Sequence, residues 1–363
     1  MGVLERIVGR FRPRELRLDW AQIEVTTRCN AHCVYCPRTQ AGTAWRNRDL
    51  DFGLFSRLLP QLSRTAHLHL QGWGEPLLHP HLLEMIRAAH AQGLRTGTTT
   101  NGVLLTPELA VELVRSGLDM LAVSLAGTGP AHDAARPGAG LDAALAAMDA
   151  LVAARARLHF ATPALHVAYM LLRGAEDELE ALPRLLEGRG VSTVVVSTLD
   201  YVAAPDLTHL AFTDPGEIAA VRARLSRLAA ALASRDVALV YRLPGRHEAA
   251  QCPENPTRAL VVDAAGGVSP CVYTCIPAAP PHPAAALRLS FGSAEEEGLA
   301  AIWQRPGYAA FRAAWQARQT RDADGYGTKE RKEAEQATQR PEDGQDKGPL
   351  PRPCDECAKR FVS

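Results

Sequence analysis

No run of apolar residues in this 363-residue chain approaches the roughly 20 needed to cross a bilayer. Its first 17 residues also lack the long apolar centre of a secretion signal, so the expected location is the cytoplasm. Neither charge is in excess: 40 Lys and Arg balance 40 Asp and Glu. That balance gives no electrostatic case for a nucleic-acid partner. Aromatic residues are only 6%, yet apolar residues reach 47% and charged residues 22%, which excludes wholesale disorder. Cysteine is missing altogether between residues 37 and 251. The eight that exist crowd to either side, three within 29–36 and five from 252 onward. A reducing compartment disfavours disulfides, so clustered thiols there bind metal or carry redox chemistry.

Residues 1–19 read as a short basic amphipathic helix, with Leu4, Ile7, Val8 and Phe11 at helical spacing among arginines. From residue 20 onward, β-rich runs alternate with apolar-periodic segments. Strands are expected at 21–27, 66–71, 94–99, 119–125, 165–171, 193–199 and 237–242. Helices are expected at 52–63, 80–92, 107–116, 140–154, 176–189 and 215–234. Gly93, Gly117 and Gly190 stand where left-handed helix caps belong, and Thr106 precedes Pro107 as an N-cap. Repeated βαβ units imply a parallel sheet, either open or closed into a partial barrel, over residues 20–242. Residues 243–363 form a second unit, rich in Pro and Gly and carrying the remaining cysteines. Residues 299–317 read as helical, interrupted at Pro306. Within 318–350 large apolar side chains almost vanish, which reads as a solvated insertion or flexible linker.

The segment Cys29-Asn-Ala-His-Cys33-Val-Tyr-Cys36 follows the first strand directly. The loop leaving a strand's C-terminal end is where α/β folds place chemistry. Zinc usually takes four protein ligands, and no fourth stands at a suitable local position. A [4Fe–4S] cluster held by three cysteines keeps one iron open to a non-protein ligand. C-x3-C-x2-C with Tyr35 before the last cysteine resembles the signature of radical S-adenosylmethionine (SAM) enzymes. Three further loops carry the resemblance in the right order. Gly72-Trp73-Gly74-Glu75-Pro76 is similar to the family's GGEP motif, with Trp73 replacing one glycine. Thr100-Asn101-Gly102 is similar to its TNG turn, and Ser124-Leu125-Ala126-Gly127 to SLDG.

The resemblance covers roughly residues 20–200 and implies a partial (β/α)6 barrel. It implies that Cys29, Cys33 and Cys36 bind a [4Fe–4S] cluster whose open iron is chelated by SAM. It further implies that Tyr35, Gly74, Glu75 and Pro76 belong to the cofactor site. Ser124 and Arg136 would contact the ribose and carboxylate ends of SAM.

Cys252, Gly266, Cys271 and Cys354-Asp-Glu-Cys357 follow a C-x13-G-x4-C … C-x2-C pattern. It resembles the twitch domain, a short form of the SPASM extension on many radical enzymes. Four thiolates at Cys252, Cys271, Cys354 and Cys357 suffice for one auxiliary [4Fe–4S] cluster. A zinc ribbon made by the same four cysteines is the alternative, and Cys275 is left over. His67, His69, His79 and His81 read as ordinary core or surface residues and not as a metal site.

The expected activity is reductive cleavage of SAM to a 5′-deoxyadenosyl radical, which abstracts hydrogen from a peptide or small-molecule substrate. An auxiliary cluster suits an oxidative outcome. A flavodoxin- or ferredoxin-type protein would supply the electron. The alternatives are a non-catalytic iron–sulfur electron-transfer or scaffold protein, and a zinc-binding interaction protein.

Overall fold

A computed structural model describes residues 16–245, 247–248, 251–333, 350–357, 359 and 361–362. Most of the expected N-terminal basic helix, residues 1–15, lies outside the described residues. The strands are β1 (Trp20–Ile23), β2 (His67–Leu70), β3 (Thr96–Thr100), β4 (Met120–Leu125), β5 (Ala164–Leu171), β6 (Val191–Thr198) and β7 (Ala238–Tyr241). Four more follow: β8 (His247–Glu248), β9 (Ala259–Val262), β10 (Val268–Ser269) and β11 (Phe361–Val362). The main sheet runs β10-β9-β1-β2-β3-β4-β5-β6-β7, and β11 pairs separately with β8. Every pairing in the main sheet is parallel except that of β10 with β9.

Alternation explains the strands. In β5, Leu165, Val167, Tyr169 and Leu171 face the helix layer and are fully buried, while the residues between them are only partly covered. The intervening helices are α1 (Pro37–Ala41), α2 (Phe52–Leu58), α3 (Leu82–Ala91), α4 (Pro107–Arg115), α5 (Pro130–Ala135), α6 (Leu141–Leu158), α7 (Leu182–Leu185) and α8 (Pro215–Ala233). Their starts are written in the sequence: the side chains of Asp51, Thr106 and Asp214 accept from Leu54, Leu109 and Glu217 N–H groups. Gly93, Gly117 and Gly190 all have positive φ.

Three segments differ from the sequence reading. Residues 176–189 are not one helix but a 3₁₀ stretch, Glu176–Ala181, followed by the four-residue α7. Pro183 has no N–H for a continuing helix, so the winding restarts there. Part of the C-terminal segment belongs to the main sheet: β9 pairs parallel with β1, and a hairpin turning through Gly266 (φ +80°) leads to β10. Asp263 fastens that turn by accepting from the N–H groups of Ala265 and Gly267.

The third difference lies after α9 (Leu299–Gln304), where α10 starts at Pro306 and runs to Glu333, through half of the expected linker. Tyr308, Phe311 and Trp315 are buried at its start. Their packing supports the costly helical nucleus, and adding polar turns to an existing helix is cheap. Residues 334–349 lie outside the described residues.

Candidate active site and second cysteine site

The loops after β1, β2, β3, β4 and β6 open on one cavity of about 390 Å³. For strand ends so far apart in a sheet to share one cavity, the sheet must curl. Cys29, Cys33 and Cys36 all line it, with Tyr35, Gly74, Glu75, Ser124 and Arg136. The buried Pro76 opens the short 3₁₀ turn Pro76–Leu78 just behind. Burial raises the Cys29 thiol and pushes Cys36 up to about 11. These thiols would lose their protons to a metal centre, whose charge offsets the desolvation.

The loops are tied to one another. A Cβ at Gly74 would lie 2.4 Å from the carbonyl oxygens of both Thr26 and Arg28, so only glycine permits the approach. The following N–H, of Glu75, donates to the Arg28 carbonyl at 2.8 Å. The Glu75 carboxylate is buried and accepts from Thr100 Oγ1 (2.8 Å), Asn101 N (2.7 Å) and Leu77 N (3.1 Å). Burial raises its pKa and these bonds oppose the rise. Asn101 in turn donates through Nδ2 to Asn30 Oδ1, inside the cysteine loop. Gly102 turns at φ +88° against the backbone of α6, which leaves no room for a side chain.

Arg136 is 7% exposed, and its Nη1 donates to the Tyr35 hydroxyl at 2.7 Å. Its Nε is buried and has no partner among the described residues. Glu178 was not evident from the sequence. It accepts from the N–H groups of Thr128, Gly129 and Ala131 and so fixes the loop between Ser124 and Arg136. Glu24 was missed as well. It is 1% exposed and accepts from Trp73 N and Ala264 N, joining the barrel loop to the C-terminal hairpin. Burial pushes its pKa up to about 7.

The second cavity, about 380 Å³, is lined by Cys252, Cys271, Cys354 and Cys357. Cys275 is not among its lining residues; it is buried, and its thiol donates to the Val272 carbonyl. Asp200, Tyr201 and Tyr273 line both cavities and form the wall between them. Lys359 is paired with Asp200 (3.5 Å) and Glu254, and its ammonium lies 4.9 Å from the Tyr273 ring centre. Trp73, the residue replacing a glycine in the GGEP-like stretch, packs edge-on against Tyr273 and donates its indole N–H to Val272 O.

Asp200 was legible in principle, since it follows a strand end as Cys29 and Glu75 do. The wall tyrosines carried no such signal. Among the described residues no three His, Cys, Asp or Glu side chains come close enough to share a single metal ion. Of the four histidines, His79 contacts Leu50 O and accepts from the His81 N–H, while His69 packs on Trp20.

A curled parallel sheet with three cysteines at its mouth and four more behind a shared wall is the architecture of an enzyme that makes radicals at an iron–sulfur centre. Comparison with known proteins agrees. Residues 23–186 match the Radical SAM superfamily and residues 252–326 match an iron–sulfur cluster-binding domain of the SPASM type. Residues 23–186 are thus a radical SAM domain and residues 252–326 a SPASM-type iron–sulfur domain of an enzyme, and these domains bring [4Fe–4S] clusters and SAM as cofactors.

It is 25% identical over 308 residues to the tungsten-containing aldehyde ferredoxin oxidoreductase cofactor-modifying protein of Pyrococcus furiosus, covering 81% of this chain and 83% of that one. A PqqA peptide cyclase of Ruegeria pomeroyi is 40% identical over 111 residues, which are 30% of this chain and only 29% of the relative. Among solved structures, Streptococcus suis SuiB bound to S-adenosylmethionine superimposes with a TM-score of 0.64 at 14% identity, over 85% of this chain and 71% of that one. This likeness carries the partial-barrel fold. Among the described residues no helix is long and apolar enough to cross a membrane.

Proposed function

We propose that Cys29, Cys33 and Cys36 bind the catalytic [4Fe–4S] cluster and that Tyr35, Gly74, Glu75, Pro76, Ser124 and Arg136 build the SAM site beside it. Bound there, the cofactors supply a 5′-deoxyadenosyl radical that removes a hydrogen atom from the substrate. The observation that carries the reading is the single cavity onto which the three cysteines and the SAM-site loops converge. Arg136 fits an anionic ligand: its buried Nε has no partner among the described residues, and a carboxylate is the partner a guanidinium takes best. Glu75 acts by positioning, because its carboxylate is engaged with Leu77, Thr100 and Asn101. It aligns the Gly74–Pro76 stretch and the Asn101 turn against the cysteine loop.

Cys252, Cys271, Cys354 and Cys357 are assigned to one auxiliary [4Fe–4S] cluster, with Cys275 outside it. Four cysteines around a cavity of about 380 Å³ suit a multi-iron group better than one zinc ion, whose ligands crowd to about 2.3 Å from it. The reaction is an oxidative modification, with the auxiliary site accepting the electron. A peptide is the preferred substrate, since relatives include PqqA peptide cyclases and SuiB has been solved with its precursor peptide SuiA. A cofactor or other small molecule is the second reading, which the Pyrococcus furiosus relative favours. A flavodoxin- or ferredoxin-type donor provides the electron. Assignment of the clustered cysteines to iron–sulfur sites supports cytoplasmic residence.

The domain division is a barrel over 20–242 and an auxiliary unit over 243–363, the latter lending β9 and β10 to the barrel's sheet. The test is anaerobic reconstitution with iron and sulfide, then dithionite and SAM. Release of 5′-deoxyadenosine is expected, and its absence from fully loaded protein would refute the reading.

A further inference from the structure

The auxiliary cavity contains one polar group that none of the above uses. Trp315, on α10, lines that cavity and is 1% exposed. Its indole Nε1–H is buried and makes no well-formed hydrogen bond among the described residues. A buried donor without an acceptor is costly, and native proteins tolerate it mainly where a ligand completes it. The cavity's carboxylates are taken: Glu254 pairs with Lys359, and Asp200 with Lys359 and Thr198. Four cysteine sulfurs line the same cavity and can accept an N–H. Cys354, which lines the cavity with Trp315, is the one in contact with the indole. The Arg318 guanidinium lies 5.9 Å from the indole ring centre.

We propose that Trp315 donates its indole N–H to the sulfur of Cys354 and thereby raises the reduction potential of the auxiliary cluster. Reduction adds negative charge that spreads onto the cysteine sulfurs. A donor bond to sulfur therefore favours the reduced form, and such bonds are among the levers that set iron–sulfur potentials. The effect biases the centre toward accepting an electron, in keeping with an oxidative reaction. The inference rests on the reading that Cys252, Cys271, Cys354 and Cys357 hold a cluster.

The test uses the full-length protein with Cys29, Cys33 and Cys36 all replaced by alanine, which isolates the auxiliary centre. Its midpoint potential is measured by redox titration followed by electron paramagnetic resonance. Trp315→Phe should retain about 4 Fe per chain while the midpoint moves to more negative potential. Proton double-resonance spectra of the reduced centre should lose one exchangeable coupling. Incorporating the benzothiophene analogue of tryptophan at 315, which keeps the shape and replaces N–H by sulfur, should reproduce both changes even if the phenylalanine variant folds poorly. An unchanged or more positive midpoint with iron retained would overturn the role of Trp315 and leave the cluster assignment standing. A parent protein that binds no cluster would overturn the assignment, and the inference with it.

Discussion

The two cysteine sites are built in opposite ways. Cys29, Cys33 and Cys36 sit on one loop of eight residues, while the other four are drawn from a span running from 252 to 357. Around the first, the rim is polar and cross-linked, with Glu75, Asn101 and Asn30 tying three loops together. Around the second, aromatic side chains such as Phe311, Trp315 and Tyr273 close the cavity. Three thiolates leave one iron accessible to an outside ligand, whereas four complete a cluster. A site that must admit and orient SAM needs hydrogen-bonding groups at fixed places. A site that stores an electron needs enclosure. The difference in lining thus follows the difference in ligand count.

The sharpest way to break this division is to disable one side. Cys29→Ala, Cys33→Ala or Cys36→Ala should abolish 5′-deoxyadenosine formation while about 4 Fe remains per chain. Cleavage that survives in any of the three would remove the first site from the chemistry. The complementary change, Cys357→Ala, should cost about half of an expected load of about 8 Fe and end substrate turnover. Slow cleavage of SAM without substrate should persist. Cys275→Ala should keep the full load, because its thiol lies outside the cavity and bonds to Val272 O. Loss of iron from that variant would show that the four ligands have been wrongly chosen.

A smaller effect is expected from Glu75→Gln. The amide keeps the size of the side chain but presents one donor to N–H and O–H groups that need acceptors. At about 1–3 kcal/mol for an unsatisfied buried group, SAM affinity should fall on the order of 10- to 100-fold. The iron content should not change. An unaltered dissociation constant from equilibrium dialysis would show that the tie between the loops does not matter to the cofactor.

How far each site was legible follows from where its residues lie along the chain. The first site is local: Cys29, Glu75, Asn101 and Ser124 each stand at or just after a strand end, and strand ends were readable from alternation. Gly74 and Gly102 were readable through the GGEP- and TNG-like motifs, and the physical reason for them is close approach at the first and positive φ at the second. The second site was readable only as a spacing pattern, since nothing near Cys252 announces Cys354. The wall tyrosines Tyr201 and Tyr273 were invisible, because their role arises from tertiary packing of separate loops. β9 was hidden for a similar reason. Its four residues, Ala259–Val262, are all buried, so no alternation marks them. The helical extension to Glu333 was misread because composition reports solvation and not the anchorage of the preceding turns.

Glu24 is one joint between the two regions, beside the β1–β9 pairing, and gives the most delicate test. Its carboxyl oxygens accept from Trp73 N in the barrel and from Ala264 N in the hairpin. Burial holds its folded pKa near 7, against an unperturbed 4.5, with Asp263 nearby adding a smaller push in the same direction. A carboxyl with a raised folded pKa binds its proton more tightly in the folded chain. That contribution is complete below about pH 4.5 and is lost as the pH rises through 7. The whole shift corresponds to about 3 kcal/mol. Glu24→Gln removes the titration, but the new amide N–H₂ faces one of the two N–H donors, which returns about 2 kcal/mol of cost. The variant should therefore be more stable than the parent by about 1 kcal/mol at pH 8 and less stable at pH 5. Chemical denaturation of the iron-free protein at the two pH values measures this crossover. Parallel pH profiles for parent and variant would mean that Glu24 titrates as an ordinary surface carboxylate, and that the two regions are joined by other contacts.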